Sequence, residues 1–308
     1  MKYLSQRAVF LLVVLLVAGL VMVYPPLRLA SLVFPAWSPP LWLGPTLFLL
    51  PIGLRALHEQ ANHAWSRAIS AVVLTWLGVC FVMLCLLVPA EILLLTPWLA
   101  PQQLGYLVAG ATLLTCVYSF YNALRLHVRT VDLNAHPSAR DKRLVQISDV
   151  HVGSRQPGFL RPIVDKVNAL NPDYTLITGD LIDMHGIDER SLAPLAEINS
   201  PTLYCIGNHE RYVDLEDICT RLTNLGIEVL RNASVIKNDM QFIGIDDAES
   251  KTQVEREIKM LEATPDAFRI LLYHRPDGAE DAAAWGAHLM LTGHTHRGQI
   301  VPFNFLVK

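Results

Sequence analysis

Apolar residues form four long runs in the first part of the chain and short bursts of strand length in the second. The first uncharged run is Ala8 to Tyr24, and others follow at about Leu41 to Leu54, Ala68 to Leu95 and Leu104 to Leu124. A helix needs roughly 20 apolar residues to cross a bilayer. The third and fourth runs meet that length and the first is adequate, whereas the second is short and interrupted by Pro45 and Pro51. The pattern predicts about four membrane helices within residues 1–126. Lys2 and Arg7 give the first run the positive start of a signal peptide. No small-x-small cleavage site follows it, and a signal peptide would not explain the later runs.

The pattern changes after Leu124. Residues 127–142 are polar, contain Pro137 and several charges, and read as a linker. Beyond Arg143, strand-length apolar runs lie at Leu144 to Ser148, Tyr174 to Thr178, Thr202 to Ile206, Gln241 to Ile245, Arg269 to Tyr273 and His288 to Thr292. Between them Phe159 to Leu170, Leu215 to Leu225 and Thr252 to Ala263 carry apolar residues at helical spacing. Alternation of this kind predicts a layered α/β domain over residues 143–308.

Charge separates the same two parts. Up to Thr130 the only acidic residues are Glu59 and Glu91, whereas from Asp132 onward acids outnumber bases, within a net charge of −3. No basic face for a nucleic-acid backbone is evident, so no nucleic-acid partner is expected. Basic residues flank the apolar runs unevenly. Arg125, Arg129, Arg140, Lys142 and Arg143 follow the fourth, and the preceding loop, Thr96 to Gln103, has none. With four spans, this asymmetry puts both termini in the cytoplasm. An odd count would turn the second domain outward. The five cysteines suggest no disulfide framework.

Candidate chemistry sits at the ends of the expected strands. Asp149-Val150-His151, Gly179-Asp180-Leu181-Ile182-Asp183, Gly207-Asn208-His209-Glu210, His274 and Gly293-His294-Thr295-His296 each begin within a residue or two of a strand's C-terminal end. That edge of an α/β sheet is where loops converge and ligands bind. The donors are carboxylate and amide oxygens and imidazole nitrogens, with no thiolate, a set suited to manganese, iron or zinc. Taken singly, each motif has a bland reading: a surface turn, a helix cap at Asn208 or a structural histidine at His274. Their joint occurrence, each after a strand, is what points to a metal site. His127, His136, His185 and His288 match no motif.

The order Asp-x-His, Gly-Asp-x-x-Asp, Gly-Asn-His-Glu, His, Gly-His-x-His resembles that of the calcineurin-like metallophosphoesterase superfamily, and the membrane segment is similar to its membrane-associated bacterial branch. The resemblance runs from about Leu144 to Ile300. It implies a four-layer αββα-type domain of two packed sheets flanked by helices, and hydrolysis of phosphoesters by two-metal activation of water. It implies that Asp149, His151, Asp180 and His296 bind one ion and that Asp180, Asn208, His274 and His294 bind the other, with Asp180 shared. His209 would contact the phosphoryl group or protonate the leaving oxygen, Glu210 would help orient it, and Asp183 would support the ligands from behind. Arg297 stands where related sequences often have glycine and is a possible substrate-binding residue. Relatives usually continue for several strands past the last motif, so the chain is expected to be truncated at its C-terminus. The bacterial branch implies an inner-membrane protein in contact with lipids, acting on phosphoesters that include lipid-linked ones. Two rivals are a membrane sensor or scaffold with an inactive phosphoesterase-like domain, and a transporter with a regulatory domain. The transporter needs ionisable groups within the spans, where Glu91 is the main one.

Overall fold

A computed structural model describes residues 2–60, 64–133, 137–155 and 157–296. The chain divides into two compact units, Met1–Val128 and Arg129–Lys308.

The first unit is helical, with α1 (Lys2–Met22), α2 (Tyr24–Val33), α3 (Leu43–Gln60), α4 (Ala64–Leu93) and α5 (Pro101–Ala123). Among the described residues, three stretches are long and apolar enough to cross a membrane: Leu12–Val33, Ala71–Leu93 and Pro101–Ala123. The first lies further along the chain than the uncharged run suggested, because helix resumes at Tyr24 with proline in its first turn. Proline there costs nothing, since the first amides of a helix have no intrahelical acceptor. The second run is helical, but its apolar part, Leu43–Leu54, is shorter than the other three, and Pro51 lies inside the helix. By length and composition, then, three stretches are long enough to span, against the four expected. Leu32, Leu87, Ala90, Leu104 and Val108 form a buried cluster joining α2, α4 and α5. Arg28 Nε donates to Glu91 Oε1 at 2.5 Å and its Nη2 to Oε2 at 2.9 Å, while the Tyr24 hydroxyl donates to Oε1 at 3.0 Å. Glu91 thus serves as an ion-pair partner between α2 and α4.

The second unit holds two four-stranded sheets. The first is wholly parallel, in the order β1 (Leu144–Ile147), β2 (Tyr174–Thr178), β3 (Thr202–Cys205) and β4 (Glu228–Val229). The second has the order β5 (Ala233–Lys237), β6 (Met240–Ile245), β7 (Phe268–Tyr273) and β8 (Leu289–Leu291), with β5 antiparallel to β6 and the other pairs parallel. The helices are α6 (Leu160–Leu170), α7 (Glu189–Leu192), α8 (Leu215–Asn224), α9 (Gln253–Ile258) and α10 (Ala279–Trp285).

Alternate residues of each strand face opposite ways, and the core divides accordingly. Tyr174, Leu176, Leu203 and Cys205 of the first sheet pack on Met240, Phe242, Phe268, Ile270 and Leu272 of the second, forming the seam between the sheets. Ile177 and Tyr204 look outward onto α6 and α8 through Leu160, Val164, Val167, Ile218 and Leu222. On the far side Ile243, Ile245, Leu271 and Tyr273 meet Val254, Ile258 and Ala282 of α9 and α10. These three clusters are the interfaces of an αββα sandwich. Strands buried on both faces lack polar alternation, which is why β2, β3 and β6 read as continuous apolar runs.

Candidate functional site

The loops after β1 and β2 stay in register beyond the strands. Asp149 N donates to the Gly179 carbonyl, His151 N to that of Asp180 and Val152 N to that of Leu181, at 3.2, 3.0 and 2.8 Å. This pairing fixes Asp149 and His151 against Asp180. From the other sheet, His294 N donates to both carboxylate oxygens of Asp149 at 3.0 and 3.2 Å, which brings the segment after β8 to the end of β1. Gly293 makes that approach feasible, since a Cβ there would overlap Ser148 Oγ and Asp149 Oδ2. Gly207 plays the same part beside Asp180, whose amide and Oδ1 occupy the space a side chain would need.

Two clusters result. In the first, His151 Nε2 lies 3.2 Å from His296 Nε2, which lies 3.4 Å from Asp149 Oδ1. In the second, His274 Nε2 is 3.0 Å from Asp180 Oδ2 and 3.2 Å from Asn208 Oδ1, and the His274 and His294 rings meet edge to face at 5.1 Å. The sets Asp149/His151/His296 and Asp180/His274/His294 each keep one donor atom per residue within 4.8 Å of the others. His209 stands by Asp180: its amide donates to Asp180 Oδ1 at 2.9 Å and its Nε2 lies 3.9 Å from Oδ2. Its ring meets that of His151 edge to face at 4.7 Å.

The backbone is strained where these residues sit. Asp149, His151, Asp180, His294 and His296 have φ between 45° and 68°. The other described non-glycine residues with positive φ are all Asp or Asn: Asp141, Asn171, Asn232, Asn238 and Asp266. A left-handed residue with a side chain costs about 1–2 kcal/mol, and such strain concentrates at functional sites where the surroundings enforce it. Three of these five are histidines.

The supporting contacts set ring orientation. His274 is fully buried, and its Nδ1 donates to the Thr178 carbonyl at 2.8 Å, which leaves Nε2 to face two oxygen acceptors. Asp183 Oδ2 holds His151 Nδ1 at 3.2 Å while its Oδ1 accepts from Ser154 N at 2.9 Å. His151 Nε2 is thereby turned toward His296. Glu210 is fully buried, and its carboxylate accepts from the amides of Asp180, Ile182 and Gly207 at 3.0, 2.9 and 2.8 Å. It orders the Gly179–Ile182 and Gly207 loops through the backbone, where the resemblance had it orienting the His209 imidazole. Arg297 lies outside the described residues, as does His136. His127, in the first unit, bonds Asn122; in the second, His185 pairs with Asp214 and His288 stacks on Phe268, and neither belongs to the clusters.

The electrostatics follow from this crowding. Burial pushes the Asp180 carboxyl up, but the hydrogen bond and charge of His274 outweigh it and hold the group below its ordinary value. Burial would lower His274 and His151, and their partners Asp180 and Asp183 raise both. His294 is lowered by burial and by the charges of His274 and Arg275. Burial raises Glu210 despite the amides of Ile182 and Gly207.

The donor set suits a divalent metal. With His274 Nδ1–H committed to Thr178, Nε2 faces Asp180 Oδ2 and Asn208 Oδ1 at 3.0 and 3.2 Å. A ring nitrogen and two oxygen acceptors gathered this way are favourable only with a proton or a cation among them. The residues therefore fit the metal group that the resemblance implies. Sequence reasoning missed the Thr178 carbonyl, which has no side-chain signal, and the pair Arg211 and Arg275 on Asp247.

Fold and donors define the class, an α/β sandwich whose strand ends gather oxygen and imidazole donors of the kind that suits divalent metals. The chain belongs to the calcineurin-like phosphoesterase family, whose sequence profile matches residues 142–298. It is 34% identical over 209 residues to an uncharacterized metallophosphoesterase of Campylobacter jejuni, covering 62% of this chain and 54% of that one. It is 31% identical over 282 residues to a transmembrane protein with metallophosphoesterase domain of Bos taurus, covering 76% of this chain and 63% of the relative. A third relative, an uncharacterized metallophosphoesterase of Aquifex aeolicus, is 31% identical over 189 residues, covering 57% of this chain and 70% of that one. The chain spans roughly half to two thirds of the length of the first relatives named. It is a membrane protein with a phosphoesterase domain, of a family that binds divalent metals.

Proposed function

We propose that this protein is a membrane-anchored phosphohydrolase that holds two divalent ions, manganese, iron or zinc, and cleaves phosphoester bonds with lipid-linked substrates among its targets. Asp149, His151, Asp180 and His296 would hold one ion and Asp180, Asn208, His274 and His294 the other. The observation that carries this reading is the convergence on buried His274 Nε2 of two oxygens, Asp180 Oδ2 at 3.0 Å and Asn208 Oδ1 at 3.2 Å. When bound, such ions supply Lewis-acid polarisation of the phosphoryl oxygens and a water activated for attack.

The chain's own groups do the rest. The Asp183 carboxylate and the Thr178 carbonyl hold His151 and His274 with Nε2 turned inward. His209 is partly exposed at the site's rim, with its backbone fixed on Asp180. From there it can meet a phosphoryl oxygen or give a proton to the leaving oxygen, a task suited to imidazole near neutral pH. The basic residues Arg125, Arg129, Arg140, Lys142 and Arg143 favour a cytoplasmic catalytic domain. They would also draw it toward anionic headgroups, at about 1 kcal/mol per residue. With three spans this places the N-terminus outside, and with Leu43–Leu54 also inserted it places both termini inside. A phosphatase reporter fused after Lys308 that is active only outside the cytoplasm would reverse the assignment.

The decisive experiment loads the purified full chain with manganese or zinc, counts bound metal, and assays bis(p-nitrophenyl) phosphate and p-nitrophenyl phosphate. Two ions per chain with turnover of either ester supports the reading. Trace metal after loading sinks it, and metal without turnover favours the inactive sensor or scaffold.

A further inference from the structure

Beside the proposed metal site lies a group of charges that the reading above does not use. The Asp247 side chain has no exposed surface, yet it takes two arginines. Arg275 Nε donates to Oδ1 at 2.6 Å and its Nη2 reaches Oδ2 at 3.4 Å, while Arg211 Nη1 donates to Oδ2 at 2.9 Å. Arg275 directly follows His274, and Arg211 is two residues past His209. The charge of Arg275 is felt at the His294 ring. Among the described residues no other carboxylate comes within salt-bridge distance of either guanidinium. One buried carboxylate therefore fixes two cations and neutralises only one.

A purely structural pair would be expected to balance, because breaking even a buried charge needs compensation and such pairs add little net stability. Here the surplus is positive, partly exposed at 30% for Arg211 and 18% for Arg275, and directed by contacts that use only some of the N–H donors. Among the described residues, Nε and Nη2 of Arg211 and Nη1 of Arg275 have no hydrogen-bond acceptor. A guanidinium fork with fixed orientation is the side chain best matched to a phosphoryl group's oxygens.

We propose that Arg211 and Arg275, held by Asp247, form a second oxyanion subsite, which binds a phosphoryl group adjacent to the one that is cleaved. This deepens the phosphohydrolase reading and rests on it for the substrate class: compounds with two linked phosphoryl groups rather than simple monoesters. Asp247 is a positioning residue, and the two arginines make the contact.

The test compares binding of α,β-methylene-ADP, which has two phosphoryl groups, with that of AMP, which has one, to the full chain in detergent micelles. Both are measured with manganese and again in EDTA. The subsite requires that wild type prefer α,β-methylene-ADP in both conditions. It also requires that R211Q/R275Q reduce that preference by about 10-fold or more, the range for lost charge-assisted hydrogen bonds. The variant R211K/R275K preserves charge and, with it, folding, but lacks the paired N–H geometry, and should lose part of the preference. An absent wild-type preference, one that survives in R211Q/R275Q, or one undiminished in R211K/R275K would overturn the subsite. If wild type shows the preference but, loaded with manganese, hydrolyses neither p-nitrophenyl ester nor ADP, the subsite stands and the hydrolase reading falls.

Discussion

Removing the Glu210 carboxylate tests how the two metal-side loops are held. Glu210→Ala leaves the amides of Asp180, Ile182 and Gly207 without an acceptor in a buried place. An orphaned buried N–H costs about 1–3 kcal/mol, so three would cost roughly 3–9 kcal/mol if nothing relaxed. Part of this is returned, because burial penalises the carboxylate itself and raises its pKa. A net loosening of about 3–5 kcal/mol is a reasonable expectation for breaking such a group. Glu210→Gln should fare better. Its carbonyl can serve two of the amides, as Oε2 now does for Asp180 and Gly207, but its NH₂ faces the Ile182 amide, donor against donor. The Gln variant should therefore lose about 1–3 kcal/mol, the cost of one amide. Hydrogen exchange of the full chain, read on peptides covering residues 179–183 and 205–209, measures this directly as local opening. Exchange there should accelerate by about 5- to 150-fold in the Gln variant and more in the Ala variant, with peptides of α9 and α10 unchanged. Unaltered protection in Glu210→Ala, or Gln more damaging than Ala, would refute the reasoning.

Other expectations concern single atoms of the site. His209→Ala should retain the metals and lose turnover by about 10²- to 10⁴-fold, whereas Asp180→Asn should lose metal and turnover together, as elemental analysis beside kinetics will distinguish. Gly207→Ala should displace Asp180, whose amide and Oδ1 the new methyl would overlap, and so weaken metal retention on dialysis while far-ultraviolet circular dichroism is unchanged. Asp173 is held below its ordinary pKa, first by the hydrogen bond from the Arg143 amide and then by Lys142. A depressed carboxylate stabilises the fold above its unfolded pKa and loses that contribution as pH falls through the lower folded value. Wild type should thus outlast Asp173→Asn in thermal unfolding at neutral pH, with the difference beginning to shrink near about pH 4 and vanishing only below the depressed folded pKa.

β2, β3, β6 and β7 were legible because they are buried on both faces and carry few polar residues. Those of the expected runs at Tyr174–Thr178, Gln241–Ile245 and Arg269–Tyr273 match β2, β6 and β7 to within a residue. Two strands escaped notice for physical reasons. β4 has only Glu228 and Val229, and β5 is an edge strand whose Ala233-Ser234-Val235-Ile236-Lys237 alternates between half-buried and exposed. The helix expected over Thr252 to Ala263 ends at Ile258, and the Leu261 carbonyl is taken by the Trp285 indole N–H at 3.1 Å, a tertiary contact with no local signature. The residues of the two clusters were legible as motifs, but their supports were not. Asp247 looks in sequence like any acid after a strand; β6 and β7 lying side by side bring Arg275 to it, while Arg211 arrives from the segment after β3 in the other sheet.

Each cluster draws on both sheets, and this links packing to chemistry. Asp149 and His151 follow β1 while His296 follows β8; Asp180 and Asn208 follow β2 and β3 while His274 and His294 follow β7 and β8. Neither set exists until the seam of Tyr174, Leu176 and Leu203 against Phe242, Ile270 and Leu272 has closed. The left-handed backbone at Asp149, His151, Asp180, His294 and His296 stores strain on both sides of that seam. Opening the sheets would release that strain and scatter the ligands at once. An ion bound only by the closed form stabilises it by mass action. In the proposed reading, metal at the strand ends thus opposes the strain that the ligand geometry introduces. Removing it should lower the stability of the sandwich as a whole, with the loosening felt first at the ends of β1 and β8, where Gly293 meets Ser148 and Asp149.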